Sequence, residues 1–216
     1  MNKLYIIIFS AFLIFSCKNE KKIFSVKNGD LLFQDSDCGS FCDAIEKVTS
    51  GYKGKNISHV GIVKIINEKI YVLEAISEGV VLTNFTVFLN RSFDKNGKPK
   101  VIVGRLKKKY QNLIPKFLEN YKKFLGKKYD FFFDYKNEAY YCSELVYEIF
   151  SDKNNKKLFH LKKMTFIDPE TKKTFPIWEE YFKNLNYEIP EGKLGTNPAD
   201  ISKSKKIEII HFYGIF

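Results

Sequence analysis

Two β-branched segments separated by two polar residues set the strongest constraint on how this chain folds. Residues 57–66 read Ile-Ser-His-Val-Gly-Ile-Val-Lys-Ile-Ile, and residues 69–76 read Lys-Ile-Tyr-Val-Leu-Glu-Ala-Ile. Both segments have the length and composition of strands. Asn67 and Glu68 between them fit a two-residue hairpin loop. The pattern therefore predicts an antiparallel hairpin with a defined register.

His59 and Glu74 fall on the same face of this hairpin. With a two-residue loop Gly61 is paired with Glu74, so His59 and Glu74 are diagonal neighbours with backbones roughly 7–8 Å apart. A register shifted by two would place them directly opposite each other, and a three-residue loop without a bulge would separate them. The rest of that face is apolar, and a buried carboxylate needs a partner. A carboxylate on one ring nitrogen fixes the tautomer and leaves the other nitrogen to accept a proton. The alternatives are a purely structural pair, or a Glu74 side chain turned to solvent on an edge strand.

Cys142 opens a segment with helical spacing of apolar residues, over residues 142–151. A thiol in the first turn of a helix lies at the positive end of the backbone dipole, which favours the nucleophilic thiolate. Tyr140 and Tyr141 before it are poor N-caps, so the first N–H groups of the helix have no obvious local acceptor and suit an oxyanion. The alternative is a small core residue on an apolar helix face.

Residues 1–16 are expected to be a signal peptide. The apolar run over residues 4–15 is too short to cross a bilayer but has the length of a signal-peptide core. Cys17 follows in a segment that resembles a bacterial lipobox, whose cysteine becomes lipidated. Phe15 is bulkier than that pattern usually carries, so ordinary secretion and an uncleaved anchor remain alternatives. We expect residues 17–216 to form one domain in the bacterial cell envelope, lipid-anchored to a membrane and facing outside the cytoplasm.

The remaining cysteines fit an oxidising compartment. Cys38 and Cys42 are close enough in sequence to form a short disulfide. This leaves Cys142 as an unpaired thiol, which in a secreted protein indicates reactivity. No histidine lies within ten residues of the Cys38 and Cys42 pair, so the zinc signal is weak and we expect no metal site.

The net charge of +11 comes from 36 basic and 25 acidic residues. The lysines are scattered and mixed with polar and aromatic residues, as on a solvated surface. A secreted protein meets no cytoplasmic nucleic acid, so we expect no nucleic-acid partner. An anionic lipid or cell-wall polymer is the partner class that remains for the positive charge.

Four segments together resemble the YiiX/YebB-like branch of the NlpC-type cysteine hydrolases. They are residues 29–33 (Gly-Asp-Leu-Leu-Phe), 58–63 (Ser-His-Val-Gly-Ile-Val), 140–146 (Tyr-Tyr-Cys-Ser-Glu-Leu-Val) and 197–201 (Asn-Pro-Ala-Asp-Ile). The order His, acid, Cys along the chain is the circularly permuted order of papain. The resemblance covers nearly all of residues 17–216.

The resemblance implies a role for each candidate site residue. Cys142 is similar to the nucleophile, His59 to the base and Glu74 to the residue that orients the base. Tyr129 is similar to a tyrosine before the nucleophile whose hydroxyl lines the oxyanion site, although Lys128 stands where that pattern often has proline. The alternative for Tyr129 is an aromatic core residue. The segment from Cys38 to Cys42 is expected to form one wall of the cleft.

The implied architecture is α+β, a circularly permuted papain-like fold with an antiparallel sheet packed against helices and the nucleophile at a helix N-terminus. We expect helices near 111–125 and 142–151, and helix and loop over 153–195. The expected strands are near 30–34, 57–66, 69–76, 80–85, 100–106 and 206–213.

The implied activity is hydrolysis of an amide bond through a thioester, with no cofactor. A cell-wall peptide is the expected substrate, which would make the chain a peptidoglycan peptidase or amidase. A lipid-linked amide or ester is one alternative, and a non-catalytic binding domain of the same fold is another. The oligomeric state cannot be deduced from the sequence.

Overall fold

The described residues fold around a six-stranded antiparallel sheet. The computed structural model describes residues 24–135, 137–152 and 154–216, so the expected signal peptide and Cys17 lie outside the described residues. The strands are β1 Leu31–Gln34, β2 His59–Ile66, β3 Lys69–Ile76, β4 Gly79–Asn84, β5 Val101–Leu106, β6 Lys162–Lys163, β7 Leu194–Gly195 and β8 Ile207–Phe212. Neighbouring strands of the six-stranded sheet follow the order β4-β3-β2-β1-β5-β8.

Seven helices accompany the sheet within the described ranges. They are α1 Ser40–Val48, α2 Phe85–Leu89, α3 Lys108–Gln111, α4 Ile114–Phe117, α5 Cys142–Ile149, α6 Pro176–Asn184 and α7 Pro198–Ser202. In this part of the chain every helix is too short or too polar to cross a bilayer.

The predicted hairpin of β2 and β3 has the expected register. Val63 is paired with Val72 and Ile66 with Lys69, which confirms a two-residue loop. Asn67 and Glu68 both have positive φ angles, 47° and 64°. Such a loop matches the right-handed twist of the two strands and so fixes which side chains share a face.

The main core lies between one face of the sheet and helix α5. Leu145 and Val146 of α5 are fully buried in the same apolar cluster as Phe33 and Ile62 of the sheet. The predicted helix over 142–151 is therefore confirmed, and its packing fixes its first residue, Cys142, against the sheet.

The predicted helix over 111–125 is wrong. The structure divides this region into α3, α4 and a 3₁₀ turn at Tyr121–Lys123. Pro115 lacks an N–H group, and in a continuous helix its ring would clash with the carbonyl of Gln111. Gly126 has a φ of 76° and ends the segment, as expected for a glycine that follows a helix.

A separate apolar cluster lies outside the main core. Helices α1 and α6 contribute Ala44, Trp178 and Phe182 to it, and the long segment between α5 and α6 contributes Phe166. Of the segment expected to be helix and loop, residues 154–195 are described and have that structure, with the short strands β6 and β7 in addition. This cluster forms part of the wall of the cleft described next.

Candidate active site

His59 and Glu74 are joined by a hydrogen bond of 2.7 Å between Nε2 of the ring and Oε2 of the carboxylate. The alternation of β2 and β3 places both side chains on one face of the sheet. Gly61 lies on the same face, and a Cβ atom there would come within 2.3 Å of Val72 Cγ1 and 3.3 Å of the Phe88 ring. The packing beside the pair therefore leaves no room for a side chain at this position.

Glu74 is fully buried, yet both of its oxygens are saturated with donors. Arg91 donates to Oε2 from Nη1 and to Oε1 from Nη2, each at 2.7 Å. The Thr83 hydroxyl donates to Oε1 as well. Together with His59 these groups supply four hydrogen bonds, which is the full capacity of a carboxylate. The carboxylate is thus held ionised in one orientation.

Cys142 is the first residue of α5, and its thiol lies close enough to the His59 ring to raise the pKa of that ring. Because Glu74 occupies Nε2, Nδ1 is the ring nitrogen left for the sulfur. His59 is the first residue of β2, so its ring lies at a strand end. Sulfur, imidazole and carboxylate therefore form a connected chain across two strands and a helix.

Interactions among Cys142, His59 and Glu74 shift the pKa values of His59 and Glu74 in opposite directions. Burial disfavours a charged imidazole, but its interactions with Cys142 and Glu74 outweigh it and raise the pKa of His59 to about 9. Burial also opposes an ionised Glu74, but His59, Arg91 and Thr83 outweigh it and lower the pKa of this carboxyl to about 2. An imidazolium beside a carboxylate is therefore the stable state of the pair at neutral pH.

Tyr129 lies close to the thiol. Burial, followed by the proximity of Cys142, raises the pKa of the Tyr129 hydroxyl well above its usual value. The hydroxyl therefore stays protonated and can donate a hydrogen bond. The ring also packs edge-on against Phe131, with centroids 4.9 Å apart. Tyr129 thus has both the contact expected of an oxyanion donor and the packing expected of an aromatic core residue.

The N-terminus of α5 is fastened to the segment that precedes α7. Thr196 donates its backbone N–H to the Tyr141 hydroxyl at 3.0 Å. The Ser143 hydroxyl donates to the Thr196 carbonyl oxygen at 3.1 Å. These two bonds bracket Cys142 on both sides in sequence, so they restrict the movement of the nucleophilic candidate.

Cys38 and Cys42 are joined by a disulfide, and both line the same cleft as His59 and Cys142. The disulfide ties the residues before α1 to the first turn of that helix. The expectation that this segment forms one wall of the cleft agrees with its position. Within the described ranges no group of three or more His, Cys, Asp or Glu side chains could hold a metal ion.

The comparison with known proteins decides the family. A family described as "permuted papain-like amidase enzyme, YaeF/YiiX, C92 family" matches residues 25–211. The chain belongs to this family. The expected YiiX-like branch and the expected α+β, permuted papain-like fold are confirmed.

One relative of the permuted papain-like amidase family and one solved structure are similar to the chain over most of its length. "Uncharacterized protein YiiX" of Escherichia coli strain K12 is 29% identical over 165 residues, which are 75% of this chain and 76% of that protein. A crystal structure described as metalloprotein yiiX from Escherichia coli O157:H7 superposes with a TM-score of 0.71 at 23% identity. It covers 88% of this chain and 98% of the solved one, so the two share a fold.

As a member of the C92 amidases the chain is a cysteine hydrolase of the amidase class. The structure brings together all three candidate triad residues and places Tyr129 beside them.

Arg91 and Thr83 were missed by the sequence reasoning. One signal for Arg91 was present: among 36 basic residues only Arg91 and Arg105 are arginines. Both form two-pronged ion pairs with buried carboxylates.

Proposed function

We propose that the chain cleaves amide bonds through a thioester on Cys142, with His59 as the base and Glu74 as the residue that orients it. The observation that carries the proposal is the position of His59, which contacts the thiol on one side and the buried carboxylate on the other. A purely structural His–Glu pair would not need a thiol in contact with the second ring nitrogen.

The reaction starts from the ion pair in which His59 already holds the proton of the Cys142 thiol, because the imidazolium is the stable form of the ring at neutral pH. The thiolate attacks the amide carbonyl, and a sulfur–carbon bond forms. His59 then gives its proton to the leaving nitrogen as the carbon–nitrogen bond breaks. Water attacks the thioester with His59 as base, which releases the acid and restores the thiol. Glu74 keeps the ring in one tautomer and stabilises its positive charge throughout.

The negative charge on the carbonyl oxygen needs donors beside the sulfur. The first N–H groups of α5 have no acceptor within the helix and lie at the positive end of its dipole. Tyr129 supplies a protonated hydroxyl close to Cys142. In analogous sites each such donor contributes about 3–4 kcal/mol to transition-state stabilisation. We assign these groups to the oxyanion site.

We further propose that the enzyme acts in the cell envelope. The support is the signal-like segment before Cys17 and the disulfide between Cys38 and Cys42, since disulfides persist in oxidising compartments. Lipidation of Cys17 would keep the domain at a membrane. A cell-wall peptide is the proposed substrate on this evidence, because it is an amide polymer that such an enzyme would meet.

Alkylation by iodoacetamide tests the activated thiol. At neutral pH Cys142 should react far faster than free cysteine, and His59→Ala should reduce the rate by about tenfold or more. His160→Ala is the matched control, since His160 is exposed. Equal rates for wild type and His59→Ala would refute the proposed sulfur–imidazole pair. Peptide mapping of the labelled protein identifies the alkylated cysteine.

A further inference from the structure

Lysines occur throughout the chain but are concentrated in one segment, residues 107–128. Eight of its 22 residues are lysines, and only Glu119 is acidic. We call this segment, which contains α3, α4 and the 3₁₀ turn at Tyr121–Lys123, the lysine strap. Its formal charge, eight lysines minus one glutamate, is +7, whereas the whole chain carries +11. The strap therefore holds most of the excess positive charge.

The lysine strap spans the width of the sheet. It begins beside β8, where the Lys107 N–H donates to the Lys206 carbonyl oxygen at 2.9 Å. It ends beside β4, where the Val80 N–H donates to the Lys127 carbonyl oxygen at 2.9 Å. Because β8 and β4 are the two edge strands, the strap passes over every strand between them.

The apolar residues of the strap face the protein, and its lysines face outward. Phe117, Leu118 and Tyr121 are buried in the main core, together with residues of α5. Seven of the lysines are exposed, and Lys127 is half-buried. The exposed ones are Lys107, Lys108, Lys109, Lys116, Lys122, Lys123 and Lys128. They therefore share the outer surface of the strap.

The protein itself does not neutralise these seven ammonium groups. Among the described residues none of them forms an ion pair, and Lys127 is the strap lysine that does, with Glu138 at 3.1 Å. Lysines elsewhere are better paired, as Lys157 is with Glu148. Like charges that lie close together repel one another in the folded state. A dense unpaired array of this kind therefore favours an anionic partner.

The position of the strap favours a membrane as that partner. Phe24, where the described chain begins, follows Cys17 by seven residues, which span at most about 25 Å. Gly29 is five residues further, and a Cβ atom there would come within 2.6 Å of Ile114 Cγ2 in the strap. A lipid on Cys17 would thus lie within reach of the strap. Stable attachment takes two signals, and one lipid anchor with a polybasic surface supplies both.

The chemistry of lysine suits a diffuse anionic surface. Its ammonium is a compact, hydrated charge without the fixed two-pronged geometry of arginine, and the strap contains no arginine. Each lysine near an anionic membrane surface raises the affinity by about fivefold. A set of seven therefore needs no shaped pocket to bind such a surface.

Resting on the envelope location proposed above, we propose that the lysine strap docks on an anionic membrane surface. The strap leads directly into the candidate active site, because Lys128 precedes Tyr129 in the chain. The Lys128 carbonyl oxygen also accepts the Tyr140 N–H at 3.0 Å, just before the helix that Cys142 opens. Docking would therefore hold the cleft in one orientation relative to the membrane.

Lysine acetylation in the presence of vesicles tests the docking. The full-length chain is mixed with excess phosphatidylcholine vesicles, with or without about 30% phosphatidylglycerol, and treated briefly with N-hydroxysuccinimidyl acetate. Mass spectrometry measures the acetylation of each lysine. Phosphatidylglycerol should lower the labelling of the strap lysines at least about threefold. Labelling should recover in about 0.5 M NaCl, where the screening length falls to about 4 Å.

Two lysines near α6 are the internal control. Lys183 lies in α6 and Lys173 shortly before it, and both are exposed. This helix packs in the separate apolar cluster rather than on the strap. The labelling of both lysines should be the same with either vesicle. Equal labelling of the strap with either vesicle, or equal protection of Lys173 and Lys183, overturns the docking surface.

Charge reversal within the strap checks which lysines bind. The test variant combines K116E, K122E and K123E, and the control variant combines K172E, K173E and K183E, all at exposed positions. The test variant should abolish the protection of the remaining strap lysines, and the control variant should keep it. Thermal unfolding verifies that both are folded. Loss of protection in both variants, or in neither, overturns the assignment.

A soluble polyanion separates a membrane from an anionic polymer. Poly(glycerol phosphate), added at the same phosphate concentration to phosphatidylcholine vesicles, should protect the strap less than phosphatidylglycerol vesicles do. Equal or stronger protection by the polymer overturns the membrane as the partner. Because the vesicles are in excess, the labelling tests the strap whether or not Cys17 carries a lipid. Iodoacetamide labelling of Cys142 in the same samples reports separately on the proposed hydrolase.

Discussion

Arg91 and Glu74 form a two-pronged ion pair with both N–O distances at 2.7 Å. Glu74 lies in the middle of a sheet strand and is fully buried, whereas the Arg91 side chain keeps 31% of its surface exposed. A planar guanidinium matches the two oxygens of a carboxylate, and a lysine ammonium does not. The pair fixes the plane of the carboxylate, and with it the direction from which the carboxylate can approach His59.

Arg91→Lys tests whether Arg91 acts through Glu74. Lysine keeps the positive charge but contacts only one oxygen, so the carboxylate can rotate away from His59. We expect kcat to fall by about tenfold with little change in KM, and stability to fall by about 1–2 kcal/mol. Steady-state kinetics and urea unfolding measure the two effects.

Arg105→Lys is the matched control for this prediction. Arg105 forms the same two-pronged pair with the buried Asp30, away from the site. The substitution should cost similar stability and leave kcat within about twofold. If both variants lose activity in parallel with stability, Arg91 has a structural role only.

Glu74→Gln removes the charge that faces His59 and keeps the shape. Glu74 contributes to the raised pKa of His59, so the variant should lower that pKa from its wild-type value of about 9. The protonated imidazole is then lost at lower pH. We expect kcat to fall by about a thousandfold or more, as for a base held in the wrong tautomer. The titration of the His59 ring, followed by NMR, should move toward acid, and an unchanged titration would contradict the assignment.

Tyr129→Phe separates the two interpretations of Tyr129. The variant keeps the ring that packs on Phe131 and removes the hydroxyl. If the hydroxyl stabilises the oxyanion, kcat should fall by about 100-fold or more, while stability changes by less than about 1 kcal/mol. Tyr140→Phe is the control, because that ring packs on Phe124 instead. A normal kcat in Tyr129→Phe would leave only the packing role.

The hairpin that carries His59 and Glu74 could be predicted because its signals are local. Side chains alternate along strands, and the two-residue loop at Asn67 and Glu68 permits only one register. The start of α5 at Cys142 was also readable, since apolar spacing begins there. The hairpin places His59 near Glu74 before any tertiary contact is known, whereas the position of Cys142 beside them followed only from the family resemblance.

Other parts of the site depend on tertiary contacts that the sequence pattern does not contain. Arg91 reaches Glu74 because α2 turns the chain back over the sheet, and nothing in its neighbouring residues indicates this. The aromatic wall of the cleft joins Phe41 to Trp178, which are far apart in sequence. The helix expected over 111–125 is divided because Pro115 cannot continue a helix that begins before it.

Glu144 lies in the first turn of α5, two residues after Cys142, and is only 1% exposed. Burial, reinforced by the nearby charge of Asp130, raises the pKa of Glu144 to about 9. The folded protein therefore keeps this carboxyl protonated at neutral pH, and the positive end of the helix dipole beside Cys142 is not neutralised by an anion.

Glu144→Gln should stabilise the protein at pH 7. The carboxyl of the unfolded chain ionises above about pH 4.5, but the folded chain must hold the proton until about pH 9. Stability is therefore lost progressively as the pH rises through this window. Glutamine is neutral at every pH, so the variant should gain roughly 1–3 kcal/mol at pH 7 and show a flatter pH dependence of unfolding.

Glu119→Gln, at an exposed position, should change neither property. Urea unfolding at pH 5, 7 and 9 measures the difference, and a variant no more stable than wild type at pH 7 would mean that Glu144 is ionised in the folded protein.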